Sequence, residues 1–279
     1  RRVVWLELWA GFSWGWPPIV IKKINTNFKL TNHLWYYMRV AIISDIHGNL
    51  EALNSVYNDI SRSKIDKIIC LGDIIGYGAE PSETIDFIIK NKIESIIGNH
   101  ELALLNPNKM KTFNRYAKEA IILTKKQLNK KQIDYISKLP VNLKFNGSLF
   151  VHGFPPDQVG EYIYLKNNDE LIKAFNLIKS QICFVGHTHE QKIYSYDGNK
   201  VIKRYLLEGK RVIDKKLKHI INVGSVGQPR DSNNNAKYII FDTKSFELEI
   251  KSIKYNPKKT YDIMIKRGFP EFNAKRLVD

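Results

Sequence analysis

The sequence predicts an α/β fold, because short apolar runs recur along the chain and each is followed by a polar residue that can bind a metal. Five runs have the length of a strand and a composition typical of buried strands. Each is followed directly by Asp, Asn or His, residue types that bind divalent metals. The runs are Arg39–Ser44, Lys67–Gly72, Ile93–Gly98, Ser148–Val151 and Ile182–Gly186.

The spacing of the first three runs predicts parallel strands joined by helices. Asp45 and Asp73 are 28 residues apart, and Asp73 and Asn99 are 26 apart, which is about the length of one strand–helix–return unit. Right-handed crossovers would place the three strand ends on one rim of a sheet, where open α/β sheets bind their ligands. The predicted helices are Leu50–Ile60, capped by Asn49, and Thr84–Lys90, begun by Pro81-Ser82-Glu83.

The rest of the chain predicts further helices and a second sheet. Two helices are expected within residues 107–139 and another over Asp169–Lys179. Asp197-Gly198-Asn199 is typical of a hairpin turn. Further strands are predicted at Gln191–Tyr196, Val201–Leu207, Lys237–Asp242 and Phe246–Ile253.

The composition is that of a globular protein with an unusual charge. The 279 residues are 43% hydrophobic and 26% charged, and no run approaches the roughly 20 apolar residues of an integral membrane segment. The formal net charge of +16 predicts either a solvated basic surface or a face that binds polyanions. Either would attract phosphate-bearing substrates.

The two cysteines favour a cytoplasmic location. Cys70 and Cys183 both lie inside apolar strand runs. Buried, reduced thiols are typical of cytosolic proteins, whereas a disulfide is the alternative expected of secreted ones.

Residues 1–37 differ in composition from the remainder. All five tryptophans, at positions 5, 9, 14, 16 and 35, lie in this segment, and Met38 leads directly into the first predicted strand. We predict an N-terminal extension, non-native or disordered, before a domain spanning residues 38–279. A segment that contacts a membrane or a partner is the alternative.

The residues at the strand ends predict a metal site. Asp45 and His47 are separated by one residue, as are His187 and His189, so each pair points to one face of its strand. Five of the seven histidines lie in these strand-end motifs. Oxygen and imidazole ligands together suit manganese, iron, zinc or nickel rather than calcium.

These motifs closely resemble those of the calcineurin-like metallophosphoesterase superfamily, and within it the small bacterial and archaeal phosphodiesterase branch. The resemblance runs from Met38 to the C-terminus. The motifs are Asp45-x-His47, Gly72-Asp73 with Gly76-Tyr77-Gly78, Gly98-Asn99-His100-Glu101, His152-Gly153 with Glu161-Tyr162, Gly186-His187-Thr188-His189, Gly224–Asp231, and Arg267-Gly268-Phe269-Pro270 with Ala274–Leu277.

The resemblance implies a four-layer α/β/β/α sandwich of two mixed sheets flanked by helices. It also implies two divalent metal ions, with Mn²⁺ favoured over Fe, Ni or Zn. A hydroxide bridging the metals would attack phosphorus in line, and His100 would assist the leaving group. The implied ligands are Asp45, His47 and His189 for one metal, Asn99, His152 and His187 for the other, and Asp73 as the bridge.

Several residues near these motifs have two interpretations each. Arg230 would hold substrate oxygens, or it would pair with Asp231 in a structural turn. Tyr77 would stack on a nucleobase or pack against the site. Glu101 would orient His100 or serve as a helix first-turn acid. In the implied family, residues 107–139 are either scaffold or a helical insert that selects substrate.

The favoured function is hydrolysis of a phosphodiester, including nucleotide diesters, with a small phosphate ester as substrate. A nuclease is an alternative because of the basic charge. A protein phosphatase is another, although Ile74–Ala79 lacks the arginine that those enzymes carry after Gly-Asp. A catalytically silent protein-binding scaffold is the third, and the complete ligand set argues against it. The sequence does not indicate an oligomeric state.

Overall fold

The protein is represented by a computed structural model, which describes residues 37–231 and 233–279. Within these two ranges, no helix is long and apolar enough to cross a membrane. The segment predicted as an N-terminal extension lies, apart from Tyr37, outside the described residues.

The described residues contain strands throughout their length. In chain order these are β1 (Arg39–Ile43), β2 (Lys67–Cys70), β3 (Glu94–Ser95), β4 (Asn142–Phe145), β5 (Ser148–Val151), β6 (Ile182–Val185), β7 (Gln191–Tyr196), β8 (Val201–Tyr205), β9 (Gly209–Val212), β10 (Lys218–Val223), β11 (Ala236–Asp242) and β12 (Glu247–Ile253).

Helices connect and cover these strands. They are α1 (Leu50–Ser61), α2 (Pro81–Lys90), α3 (Asn99–Leu105), α4 (Arg115–Gln127), α5 (Lys130–Ser137), α6 (Asn168–Leu177), α7 (Pro257–Lys266) and α8 (Glu271–Lys275). Short 3₁₀ turns at Pro107–Thr112 and Ile163–Leu165 add to them. The two helices predicted within residues 107–139 are α4 and α5.

The strands form two mixed sheets of six. The first sheet has the order β3-β2-β1-β11-β12-β9 and the second has the order β4-β5-β6-β10-β7-β8. In the first sheet β1–β2 and β2–β3 are parallel pairs, as predicted from their spacing. In the second sheet β5–β6 and β6–β10 are parallel. The remaining pairs in both sheets are antiparallel.

Alternation along β1 shows how the layers are built. Val40 and Ile42 belong to a cluster shared by both sheets, which includes Phe150 and Phe184. Ala41 and Ile43 face the opposite way and pack in a second cluster with residues of α1 and α2. A third cluster joins the outer face of the second sheet to α6. The layers therefore follow the order helix, sheet, sheet, helix, which confirms the predicted fold class.

Some elements were not predicted individually. Strand β10 lies between β6 and β7 in the second sheet, and neither it nor β4, β9, α7 and α8 was assigned from the sequence. The run Ile93–Gly98 contains only two strand residues, because the chain turns at Gly98 into α3. The predicted cap of α1 is present: the side chain of Asn49 accepts a hydrogen bond from the Ala52 N–H at 3.1 Å.

Replacing Asn49 tests how much its contacts stabilise the connection from β1 through α1 to β2. Its buried side chain also donates to the Gly227 carbonyl at 2.9 Å and accepts from the Thr260 hydroxyl at 3.0 Å. Asn49→Ala removes a helix cap and leaves a buried carbonyl unpaired, so the free energy of unfolding should fall by about 2–3 kcal/mol. Urea denaturation measures this change.

The exposed N-cap Asn114 of α4 supplies the matched control. It makes a single cap hydrogen bond, to the Ala117 N–H, so Asn114→Ala should cost only about 1 kcal/mol. Equal losses in the two variants would contradict the role assigned to the additional contacts of Asn49.

Candidate metal centre

The strand ends of both sheets meet at one buried centre. Asp45 and His47 follow β1, Asp73 follows β2, and Asn99 begins α3 after β3. His152 follows β5, while His187 and His189 follow β6. Each of these side chains except Asn99 is less than 5% exposed. The structure therefore brings together all seven residues predicted as metal ligands: Asp45, His47, Asp73, Asn99, His152, His187 and His189.

Within the centre the polar atoms form two overlapping groups. In the first, Nε2 of His189 lies 3.2 Å from Oδ1 of Asp45 and 3.1 Å from Nε2 of His47. In the second, Nε2 of His152 lies 3.2 Å from Oδ2 of Asp73 and 3.0 Å from Oδ1 of Asn99. His187 belongs to the second group, since its ring nitrogen lies within 4.8 Å of the ligand atoms of Asp73 and His152.

Backbone carbonyls fix the orientation of three imidazoles. Nδ1 of His47 contacts the Ile75 carbonyl at 3.1 Å, and Nδ1 of His152 contacts that of Leu71 at 2.8 Å. Nδ1 of His189 contacts the Gln228 carbonyl at 2.5 Å. Because these nitrogens can only donate to a carbonyl, the proton belongs on Nδ1 and the Nε2 lone pair faces the centre. This arrangement is usual for histidine ligands of metals.

Burial keeps most of these imidazoles neutral. It lowers the pKa of His47, His100, His187 and His189, to about 3 for His187. For His152 burial also lowers the pKa, but the charge and hydrogen bond of Asp73, the charge of Asp45 and the Leu71 carbonyl together outweigh it and raise the pKa to about 9. A proton on His152 and a cation beside Asp73 would both neutralise the same carboxylate, so they are alternatives.

The unpartnered atoms of the centre fit a divalent cation. Oδ1 of Asp45 and Nε2 of His187 are buried and have no hydrogen-bond partner, which is costly unless something else satisfies them. Three sets of Asp and His atoms, drawn from Asp45, His47, Asp73, His100, His152, His187 and His189, each lie within 4.8 Å of one another. Carboxylate oxygens and imidazole nitrogens at this spacing suit a transition-metal ion.

Unusual backbone conformations aim the ligands. Asp45, His47, Asp73, His187 and His189 all have positive φ, between 51° and 68°. Non-glycine residues rarely adopt this region, and such strain is typical of functional sites. It lets the chain turn sharply at each strand end while the side chain points inward.

A comparison with known protein families identifies the family of this chain. The calcineurin-like phosphoesterase superfamily domain matches residues 38–245. The chain belongs to the calcineurin-like phosphoesterase superfamily. The prediction of this family from the strand-end motifs is thereby confirmed.

Individual relatives agree with the assignment. The chain is 40% identical over 243 residues to an uncharacterized protein of Methanocaldococcus jannaschii, covering 85% of this chain and 96% of the relative. It is similar to the crystal structure of a metallophosphoesterase from Sphaerobacter thermophilus, with 33% identity, a TM-score of 0.74, and coverage of 87% and 99% of the two chains. A hypothetical protein from Pyrococcus horikoshii shares the fold at 19% identity and a TM-score of 0.70, covering 86% and 97%.

In this calcineurin-like phosphoesterase a cleft of about 980 Å³ opens beside the centre. Three residues of the centre line it: Asn99, His100 and His187. One wall comes from residues 108–117 and the other from residues 157–165. Its charged lining residues, other than histidine, are Lys109, Asp157 and Glu161. The cleft is therefore far less basic than the chain as a whole.

His100 lies between Asp73 and the cleft. Its backbone N–H donates to Oδ1 of Asp73 at 2.9 Å, and its Nε2 lies 4.0 Å from Oδ2 of the same residue. The ring centroid is 4.8 Å from that of Phe113. Nδ1 of His100 is buried without a hydrogen-bond partner. It lies against the backbone of Gly76, where an added Cβ would approach it to 2.0 Å.

Tyr77 and Arg230 lie beside the same histidines. The ring of Tyr77 is 4.7 Å from those of both His47 and His100, and it also lines the cleft. The guanidinium carbon of Arg230 is 5.9 Å from the Tyr77 ring. Arg230 does not pair with Asp231, whose carboxylate lies 3.2 Å from Nζ of Lys237 instead.

Two aromatic residues of the cleft were not predicted as site residues. Phe113 contacts His100, and Tyr162 stacks on His187 with ring centroids 3.9 Å apart and an interplanar angle of 18°. Glu161-Tyr162 is one of the motifs that resemble the family. However, neither motif nor spacing indicates which histidine the tyrosine would meet.

Glu101 organises the backbone of the centre. Its carboxylate accepts hydrogen bonds from the N–H groups of Asp73 and Gly98 at 2.8 Å and of Ile75 at 3.1 Å. Burial, with a smaller contribution from the charge of Asp73, raises the pKa of Glu101 to about 7. None of the hydrogen bonds of Glu101 reaches the His100 ring, so its contacts bind strand ends together.

Glu101→Gln should destabilise the protein because an amide NH₂ would face a backbone N–H. At least one of the three donors would lose its acceptor, and the free energy of unfolding should fall by about 2–3 kcal/mol. Urea denaturation at pH 5, below the folded-state pKa of about 7, measures the loss, because at higher pH the burial of an ionised carboxylate also lowers the stability of the wild type. Glu119→Gln on the exposed face of α4 is the matched control. Equal stability of Glu101→Gln and wild type would refute the assigned role.

Proposed function

We propose that the protein is a hydrolase that uses two divalent metal ions to cleave phosphodiesters, including those of nucleotides. The observation that carries this proposal is the position of Asp73. Its Oδ2 lies 3.2 Å from Nε2 of His152 and 3.7 Å from Nε2 of His47. One carboxylate oxygen therefore faces both groups of ligand atoms, as a shared ligand of two cations must.

Each group supplies the remaining ligands of one ion. Asp45, His47 and His189 would hold the first ion, Asn99, His152 and His187 would hold the second, and Asp73 would contact both. Such a pair supplies charge stabilisation to a phosphoryl group and lowers the pKa of water. Mn²⁺ is the proposed metal, with Fe, Ni or Zn as alternatives, since the mixed oxygen and imidazole donors suit all of them.

His100 is proposed to assist the leaving oxygen of the diester, by protonating it or by stabilising its charge. Its ring lines the cleft beside Asp73. An imidazole next to the leaving oxygen can donate a proton or a hydrogen bond to it. Tyr77 and Arg230, on the same side, are proposed to contact the substrate.

The lining of the cleft favours a small diester over a nucleic acid. Lys109 is outnumbered by Asp157 and Glu161 among its charged residues other than histidine. Away from the proposed cations and Arg230, a polyanion would meet little positive charge on these walls, although the chain carries a formal charge of +16. The volume of about 980 Å³ has room for an organic group beside the phosphate.

A cytoplasmic location is also proposed. Cys70 and Cys183 are buried free thiols, which supports that location.

Removing the shared carboxylate charge tests the metal assignment. Purified protein should contain two transition-metal ions per chain, and EDTA should abolish hydrolysis of bis(p-nitrophenyl) phosphate. Asp73→Asn should lose both metal and activity, because a neutral amide holds two cations poorly. Metal analysis and the rate of nitrophenolate release provide the two measurements.

The exposed residue Asp169 serves as the control for Asp73. Asp169→Asn should keep the metal content and the rate of the wild type. Full metal content in Asp73→Asn would exclude Asp73 as the shared ligand.

Replacing His100 separates acid catalysis from metal binding. His100→Ala should retain both ions and lose about 10²–10⁴-fold in kcat on a diester with an alkoxide leaving group. The loss should be much smaller with nitrophenolate, which leaves without a proton. If both substrates lost the same factor, His100 would not be the acid.

A further inference from the structure

His187 differs from the other imidazoles of the centre in how it is held. His47, His152 and His189 each direct Nδ1 to a backbone carbonyl. No hydrogen bond to the ring of His187 is found among the described residues, and its Nε2 is buried without a partner. Only its backbone N–H is tied to the centre, through Oδ2 of Asp45 at 3.0 Å. Something other than a hydrogen bond must therefore set the rotation of this ring.

Tyr162 is placed to set that rotation. Its ring is nearly parallel to that of His187, with centroids 3.9 Å apart and an interplanar angle of 18°. This is the closest ring pair in the described part of the chain. His152 contacts His187 at a wider 5.1 Å and 58°. Two flat rings in face contact resist rotation about the imidazole side chain, because turning either ring forces their atoms together.

The position of Tyr162 is itself fixed by the fold. The next residue, Ile163, is 2% exposed and packs in the core cluster beneath the second sheet. On the other side, Glu161 pairs with Lys166 at 3.1 Å. The Tyr162 ring also contacts that of Tyr164, with centroids 5.0 Å apart and an interplanar angle of 35°. The loop therefore presents the tyrosine ring as a fixed surface.

Stacking also adds to the affinity of His187 for a cation. An imidazole that ligates a divalent ion carries partial positive charge on its ring. The negative face of a phenol ring stabilises such a charge, especially where water is excluded. This stabilisation is absent from the free imidazole, so it favours the ligated state.

We propose that Tyr162 is a positioning residue that orients His187 by ring stacking and so raises the affinity of the Asn99–His152–His187 position for a divalent cation. The inference rests on the proposed function, since it assumes that this position binds a metal. It assigns to the ring of Tyr162 the role that backbone carbonyls have for the other three histidines.

Titration of Mn²⁺ into chelator-stripped protein tests the assignment without an activity readout. In Tyr162→Ala one of the two binding steps should weaken by about 10–100-fold, the range found when orienting partners of ligands are removed. Tyr162→Phe, which keeps the ring, should bind both ions as the wild type does. Leu165→Ala on the same wall of the cleft should also match the wild type, because Leu165 makes no ring contact with His187.

A double-mutant cycle with His187→Ala locates the effect. If Tyr162 acts through His187, adding Tyr162→Ala to His187→Ala should not weaken Mn²⁺ binding further. Thermal unfolding of the stripped proteins shows whether each variant is folded. If the alanine variant is unstable, Tyr162→Leu keeps an apolar side chain in the loop and serves in the same cycle.

The outcomes separate this inference from the function on which it rests. Wild-type protein that binds none of Mn²⁺, Fe²⁺, Ni²⁺ and Zn²⁺ would overturn both. Two ions bound equally by wild type and Tyr162→Ala would overturn the positioning role alone. So would equal weakening in Tyr162→Phe and Tyr162→Ala, because the hydroxyl would then be responsible, and so would additive effects in the cycle.

Discussion

The centre depends on keeping one ionised carboxylate, that of Asp73, away from water. The side chain is 1% exposed, and an unpaired charge at that depth would cost several kcal/mol. Burial would raise the pKa of Asp73, but His152, with smaller contributions from the His100 and His47 side chains, holds it well below its usual range. Gly98 leaves the necessary space, because a Cβ there would overlap the Asp73 carboxylate. The turns at Asp73 and Gly98 therefore approach each other as closely as this burial requires.

The two sheets contribute different chemistry to the centre. Strand ends of the first sheet supply both carboxylates, the asparagine and one imidazole, while those of the second supply the other three imidazoles. Attraction between the carboxylates and the proposed cations would therefore act across the sheet–sheet boundary. The apolar cluster between the sheets sets their separation. The packing between the sheets therefore also sets the distance between the side chains that each sheet contributes to the centre.

The sequence predicts this centre because the information is local: an apolar run followed by Asp, Asn or His marks both the strand and its ligand. Strand β10 escapes prediction since it has no such residue at its end, and its identity comes from pairing with β6 and β7 on both sides. Helix α7 buries only Thr260 and Met264, which leaves a weak apolar pattern. The contact of Glu101 with the Gly98 N–H is local, but its other two backbone partners and the ring partner of Tyr162 lie 25 or more residues away, so those roles could not be assigned from the sequence.

The pairing of β1 with β11 affects how the chain matures during synthesis. Arg39 lies opposite Asp242, and the Asp45 carbonyl accepts hydrogen bonds from Ser225 and Gly227. During synthesis, every predicted ligand through His189 is therefore made before β11, one of the two neighbours of β1. Until β11 has been synthesised, one edge of β1 stays unpaired and the Asp45 loop lacks its contacts with Ser225 and Gly227. The centre can therefore close only after most of the C-terminal third has been made.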